Sequence, residues 1–233
     1  MFFQKKYETL NSAEQRFNKA GLLASAVDLR KKIPIIAIDD QNFPPQTNLA
    51  NSGFKIETFS DIQRISDVEK FSIVLCDVNG VGTNLATDTQ GAYVIEEIKK
   101  KYPEKIVVAY TAGSALSKVV NKARASADDY IRKDASIEEW RDLLDREIKD
   151  ICNPIIVWKK TRLRLLSAGI ELQELLEIEQ ALIKNLGKGS QSIKDAVLAR
   201  SGKAENGSGA WKKEVASFVA SKAFDFAFEY FFQ

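Results

Sequence analysis

A chain of 233 residues with 45% hydrophobic content can bury a real core, and it is longer than one ordinary domain yet shorter than two full ones. Two cysteines give no disulfide framework, and no run approaches the ~18 apolar residues of a membrane-spanning helix. The net charge of +2 hides an asymmetry: residues 1–32 carry 7 basic and 3 acidic groups, residues 33–150 carry 15 and 20, and residues 151–233 carry 12 and 9. An acidic middle between basic ends predicts one central domain with appendages. The opening MFFQKKYETL lacks the apolar stretch of a signal peptide, and Cys76 falls in a predicted buried strand, so a cytoplasmic setting is expected.

Along the chain, Glu8–Lys32 reads as a helix, with Phe17, Leu22, Leu23, Val27 and Leu29 set among polar residues and no proline. This N-terminal element, 1–32, is expected to serve dimerisation or docking. From Ile33 the pattern changes to short apolar runs alternating with amphipathic stretches. IPIIAI (33–38), FKIETF (54–59), SIVLCD (72–77), IVVAYT (106–111) and DYIRK (129–133) read as strands. Between them Ala92, Ile95, Ile98 and Tyr102 keep helical spacing, as do Leu116, Val119, Val120 and Ala123, while Ile137, Trp140, Leu144 and Ile148 form a further stripe. Such alternation predicts a doubly wound α/β domain with five parallel strands, because parallel neighbours need crossover helices.

Past Asn153-Pro154 the chain reads as helical to its end. Ile155–Leu186 is expected as one long helix despite Gly169, with Trp158, Leu165, Leu172, Leu176, Ile183 and Leu186 on an approximate heptad line that Arg162, Gly169 and Glu179 interrupt. GKGS (187–190) and SGKAENGSG (201–209) read as linkers around a short helix at 191–200. Residues 210–233 gather Trp211, Val215, Phe218, Val219, Phe224, Phe226, Phe228, Tyr230, Phe231 and Phe232 in one helix-like segment, which needs a cover: the tail itself, a second copy, a partner protein or a membrane surface. The basic cluster KKTRLR (159–164) fits a solvated helix face better than a nucleic-acid contact, since the tail's net charge is slight and no helix-turn-helix is evident.

Four of the apolar runs deliver polar residues at or just past their ends: Asp39 and Asp40, Asp77, Thr111, and Lys133. In a doubly wound sheet these ends share one crevice, where ligands collect. Each alone reads as an ordinary turn former or helix cap. Together, paired carboxylates, a lone carboxylate, a hydroxyl and an amine supply what Mg²⁺-assisted transfer of phosphate onto an aspartate requires. Three carboxylates in one crevice repel one another, and a divalent cation relieves that repulsion.

On these motifs, residues 33–152 resemble the receiver domain of two-component response regulators. The resemblance implies a flavodoxin-like sheet of order 2-1-3-4-5, followed by a helical extension over 153–233. It implies that Asp39 and Asp40 hold Mg²⁺ together with Asp77 and the backbone carbonyl of Asn79, and that Asp77, in LCDVNG, is the phosphoacceptor. Thr111, in AYTAG, and Lys133, in ADDYIRKD, would contact the phosphoryl group, with Tyr130 as the aromatic switch residue. It further implies a signalling protein, not a conventional enzyme, that assists its own phosphorylation and dephosphorylation, with a sensor histidine kinase or phosphotransfer protein as its donor. Three departures stand out: the 78–90 stretch VNGVGTNLATDTQ is long, Asp134 follows Lys133 where the family has proline, and QNFPPQTNLANSG leaves a short first helix. The alternatives are a receiver-shaped adaptor that works without phosphorylation and a regulator whose tail binds nucleic acid.

Overall fold

The computed structural model describes residues 8–19, 26–112, 117–202 and 209–229. In chain order the elements are α1 (Leu10–Lys19), α2 (Ala26–Arg30), β1 (Pro34–Ile38), α3 (Gln46–Asn51), β2 (Lys55–Phe59), β3 (Ile73–Asp77), α4 (Gln90–Lys101), β4 (Ile106–Thr111), α5 (Lys118–Ser126), β5 (Asp129–Arg132) and α6 (Ile137–Ile151). Then follow α7 (Pro154–Ser167), α8 (Leu172–Asn185), α9 (Ser190–Gly202), α10 (Gly209–Ala220) and α11 (Lys222–Glu229). Contacts divide the chain into two compact units, residues 25–149 and residues 1–24 with 150–233.

The first unit is a five-stranded sheet of order β2-β1-β3-β4-β5, and all four pairings are parallel. This is the flavodoxin-like receiver topology. Every residue of β3 and β4 is buried, as expected for central strands covered on both faces, whereas the edge strand β2 is only partly covered. Ala92, Val94, Ile95 and Ile98 on α4 and Val120 and Ala123 on α5 pack into one apolar cluster with Ile36, Ile38, Val74, Cys76, Val107 and Ala109. Ser136 and Glu139 form a reciprocal cap at the start of α6: the Glu139 N–H donates to Ser136 Oγ at 3.2 Å, and the Ser136 N–H to Glu139 Oε2 at 2.7 Å. That cap fixes where the chain resumes after Lys133. The helix that follows β1, α3, has only six residues and begins directly after Pro45, as QNFPPQTNLANSG implied.

The second unit is helical and corrects several sequence expectations. The single helix expected over Glu8–Lys32 appears as α1, in this unit, and α2, in the first, with Glu8, Thr9, Lys31 and Lys32 outside them; Leu22 and Leu23 lie outside the described residues. Ile155–Leu186 is two helices, because Gly169 adopts φ +84° and closes α7: its N–H donates to Leu166 O at 3.1 Å, and the Ile170 N–H to Leu165 O at 3.1 Å. The heptad line therefore does not run through one rod. Trp158, Leu165, Ile183 and Leu186 are buried in the unit's own core, while Leu172 is 58% exposed. Asn153 begins α7 by accepting the N–H groups of Ile155 and Ile156, with Pro154 in the first turn.

Glu179, which breaks the heptad pattern, is buried for a specific reason: Trp158 Nε1 donates to its Oε2 at 2.9 Å, and Arg162 lies 3.7 Å from the same oxygen. The aromatic tail is two helices that break at Ser221, whose hydroxyl accepts the Phe224 N–H. Trp211, Phe218, Phe224 and Phe228 are fully or almost fully buried among α7, α8 and α9 residues. Tyr230, Phe231 and Phe232 lie outside the described residues. The linker expected over 201–209 also shortens, since α9 runs to Gly202. Helix α1 belongs to this unit: Leu10 and Ala13 join its core, Glu14 pairs with Lys159 at 2.8 Å, and the Gln180 side-chain amide both accepts from the Glu8 N–H (3.0 Å) and donates to the Glu8 carbonyl (2.7 Å). Among the described residues no helix is long and apolar enough to cross a membrane.

Candidate functional site

The carboxyl ends of β1, β3 and β4 open into a cleft of about 240 Å³ lined by Asp40, Gln41, Asp77, Asn79, Gly80, Thr111, Ala112 and Lys133. Topology alone brings these residues together. β1 and β3 are neighbours in register at Ile38 and Cys76, so Asp39 and Asp77 emerge side by side. β4 lies next, with Tyr110 opposite Asp77, which sets Thr111 just beyond the carboxylate.

One oxygen of each of Asp39, Asp40 and Asp77 lies within 4.8 Å of the others. Asp39 and Asp77 are buried and Asp40 is exposed, so the cluster has a dry side and an open side. Lys133 Nζ enters from the turn after β5 and bridges the two buried carboxylates, at 2.8 Å from Asp39 Oδ1 and 2.9 Å from Asp77 Oδ2. Asp134, the next residue, turns away into an exposed two-point pair with Arg132.

Burial pushes the Asp77 carboxyl above the usual carboxylate range; hydrogen bonds from Lys133 and from the Asn79 N–H pull the other way, and the charge of Asp39 adds to the rise. For Lys133 burial works against the charge, but its hydrogen bonds to Asp39 and Asp77 outweigh it and hold the ammonium above an ordinary lysine. Cys76, one residue before Asp77, has its thiol pushed up by burial and then by the neighbouring carboxylates, which makes it an inert core group.

Asn79 donates its N–H to Asp77 Oδ1 (3.1 Å) and its side-chain amide to Thr111 Oγ1 (2.6 Å), tying phosphoacceptor candidate and hydroxyl together. Tyr130 is half-buried against the sheet cluster, and the Arg124 guanidinium lies 4.0 Å from its ring centroid. All the sequence-nominated residues except Tyr130 thus meet at the cleft; Tyr130 sits on β5 beside Ala109 of β4.

Several residues that hold the site were not nominated. Gly80 adopts φ +82°, which favours glycine, and a Cβ there would stand 2.3 Å from the Asp40 Cγ, so a side chain would have to displace this carboxylate. The Gly80 N–H donates to Gln90 Oε1 (2.9 Å) and the Gly82 N–H to Asp61 Oδ1 (2.7 Å), which pins the long 78–90 loop at two points near its start. Gly91 lies so close to the Asp77 carbonyl that a Cβ would fall 2.0 Å from it. The Tyr110 hydroxyl shares its one proton between Asp39 Oδ2 at 3.1 Å and Ile38 O at 3.2 Å. The signal for Gly80 and Gly91 was present in VNGVG and QGAY; for Tyr110 none was, since a tyrosine in a buried strand reads as core.

An all-oxygen donor set of three carboxylates suits a hard divalent ion such as Mg²⁺, and Gly80 passes beside the Asp40 carboxylate at the open side of the cluster. Among solved structures, the chain is similar to the chemotaxis protein CheY4 of Vibrio cholerae (19% identity, 49% of this chain and 98% of that chain, TM-score 0.40) and to the receiver domain of NtrX from Brucella abortus (21%, 49% and 98%, 0.41). It is likewise similar to a CheY-like response regulator receiver domain protein from Methanospirillum hungatei (22%, 50% and 97%, 0.40). These likenesses are ones of fold and take in about half of the chain. No protein-family model matches it, and no curated protein matches it in sequence.

Proposed function

We propose that residues 33–152 act as a phosphoacceptor receiver of the response-regulator kind, and that residues 153–233 carry its output to a protein partner or a second copy. The observation that carries this reading is the bridging of Asp39 and Asp77 by Lys133 beside Asp40, at the carboxyl edge of a 2-1-3-4-5 sheet. One half-buried ammonium among three carboxylates leaves negative charge for a metal to balance, and it stands where an incoming phosphoryl group needs a positive partner.

Asp39, Asp40 and Asp77, with the Asn79 carbonyl, would hold Mg²⁺, which when bound supplies charge neutralisation for the transferring phosphoryl group. Asp77 then attacks phosphorus with the carboxylate oxygen not held by the Asn79 N–H, forming an acyl phosphate as the donor's bond to phosphorus breaks. Lys133 exchanges its Asp77 contact for a phosphoryl oxygen. Thr111 leaves the Asn79 amide and donates its hydroxyl to another, and the space it vacates is filled by the Tyr130 ring once that ring leaves Arg124. The donor is a sensor histidine kinase or a phosphotransfer protein.

Trapping the acyl phosphate by borohydride reduction, followed by peptide mapping, tests the assignment. The modified residue is expected to be Asp77; modification at Asp39 or Asp40 instead would refute it. A second expectation concerns the loop. Gly80→Ala forces a left-handed alanine, at about 1–2 kcal/mol, and displaces the Asp40 carboxylate. Mg²⁺ affinity measured by calorimetry is expected to fall about tenfold, the low end for disturbing the support of a metal ligand, while far-ultraviolet circular dichroism stays unchanged.

A further inference from the structure

Tyr110 has no step in the chemistry above, yet its hydroxyl rests on the metal-binding edge. Asp39 Oδ1 accepts from Lys133 Nζ at 2.8 Å and from the Gln41 N–H at 3.0 Å, which fills both of its lone pairs. Asp39 Oδ2 accepts from the Tyr110 hydroxyl and has one lone pair left. The ring cannot drift: it is fully buried, with Phe43 and Trp140 at 5.4 and 5.6 Å between centroids and those two rings 5.3 Å from each other.

We infer that Tyr110 is a positioning residue for the metal site, its hydroxyl locking the Asp39 carboxylate so that a single lone pair of Oδ2 is offered to Mg²⁺. This rests on the phosphoacceptor reading. The side chain reaches from β4 past β3 to the end of β1, so one rigid aromatic ties together the strands that supply Asp39 and Asp77. Its support comes from Phe43, in the loop after β1, and from Trp140 on α6, which places those two behind the lock as the walls that hold it.

The competing explanation is an ordinary core tyrosine whose hydroxyl merely satisfies the Ile38 carbonyl. The two differ in one observable. Tyr110→Phe removes only the hydroxyl, and Mg²⁺ titration of the full chain by calorimetry, paired with thermal unfolding in chelator, separates them. Metal affinity about tenfold weaker than wild type is expected, as for the loss of other groups that orient metal ligands. Equal affinity in Tyr110→Phe and wild type, with or without lowered stability, overturns the inference while leaving the phosphoacceptor reading standing; absence of Mg²⁺ binding by wild type overturns both. Phe43→Leu, which keeps the hydroxyl and loosens its support, is expected to weaken Mg²⁺ binding by a smaller factor, and it decides the matter on its own if Tyr110→Phe does not fold: unchanged affinity there also overturns the inference.

Discussion

Asp77→Asn is expected to abolish phosphoryl uptake while leaving a folded protein that, without metal, is more stable at neutral pH than wild type. The first half follows from chemistry: an amide oxygen is no nucleophile toward phosphorus at neutral pH, and the neighbouring Asp39 is engaged through both oxygens. The second half follows from electrostatics. Burial and the proximity of Asp39 raise the Asp77 carboxyl above its ordinary value despite Lys133, so ionising it costs more in the fold than in the unfolded chain. Between the ordinary carboxylate value, about 3.9, and the raised one, the native state therefore binds more protons than the unfolded state. Stability of wild type without metal accordingly falls as pH rises through that window, and it stays lower above it. Thermal unfolding in chelator across this range is expected to show the decline in wild type and a flatter profile in Asp77→Asn. An identical decline in both would assign it to another group.

Lys133→Met removes the bridge instead. Methionine keeps the reach of the side chain but leaves Asp39 and Asp77, both nearly inaccessible, as adjacent uncompensated charges. Removing one partner of a buried pair costs about 3–5 kcal/mol; Lys133 is 13% exposed, so about 2–4 kcal/mol is expected in chelator. Saturating Mg²⁺ is expected to recover a larger share of stability in the variant than it adds to wild type, because the metal then supplies positive charge in place of the ammonium that the substitution removed. A variant no less stable than wild type in chelator would mean that the bridge does not balance the cluster.

The sheet was legible because its strands are buried on both faces, so runs such as SIVLCD and IVVAYT stay apolar throughout and end abruptly at Asp77 and Thr111. The cleft was legible for the same reason: parallel strands carry their last residues to one edge, and neither Asp39 nor Lys133 needed a long-range contact to be nominated. The helical unit was read less well. Its apolar spacing continues across Gly169 and Ser221, and periodicity does not see a break made by one left-handed residue or one capping hydroxyl. Glu179 looked like an interruption because its partner, Trp158, is twenty-one residues away on another helix. Tyr110 was invisible as a site residue since its role depends on which strands lie beside β4. Gly80 carried a signal only in retrospect, when the position of Asp40 showed why a side chain has no room there.

The central claim is that the strand-end cluster takes a phosphoryl group in a Mg²⁺-dependent step, and intact-mass spectrometry of the wild-type chain tests it most directly. After incubation with a panel of small phosphoramidate and acyl-phosphate donors, a species heavier by one phosphoryl group is expected with Mg²⁺ and not with chelator. An unchanged mass across the panel with Mg²⁺, or an adduct that forms equally well in chelator, would contradict the account.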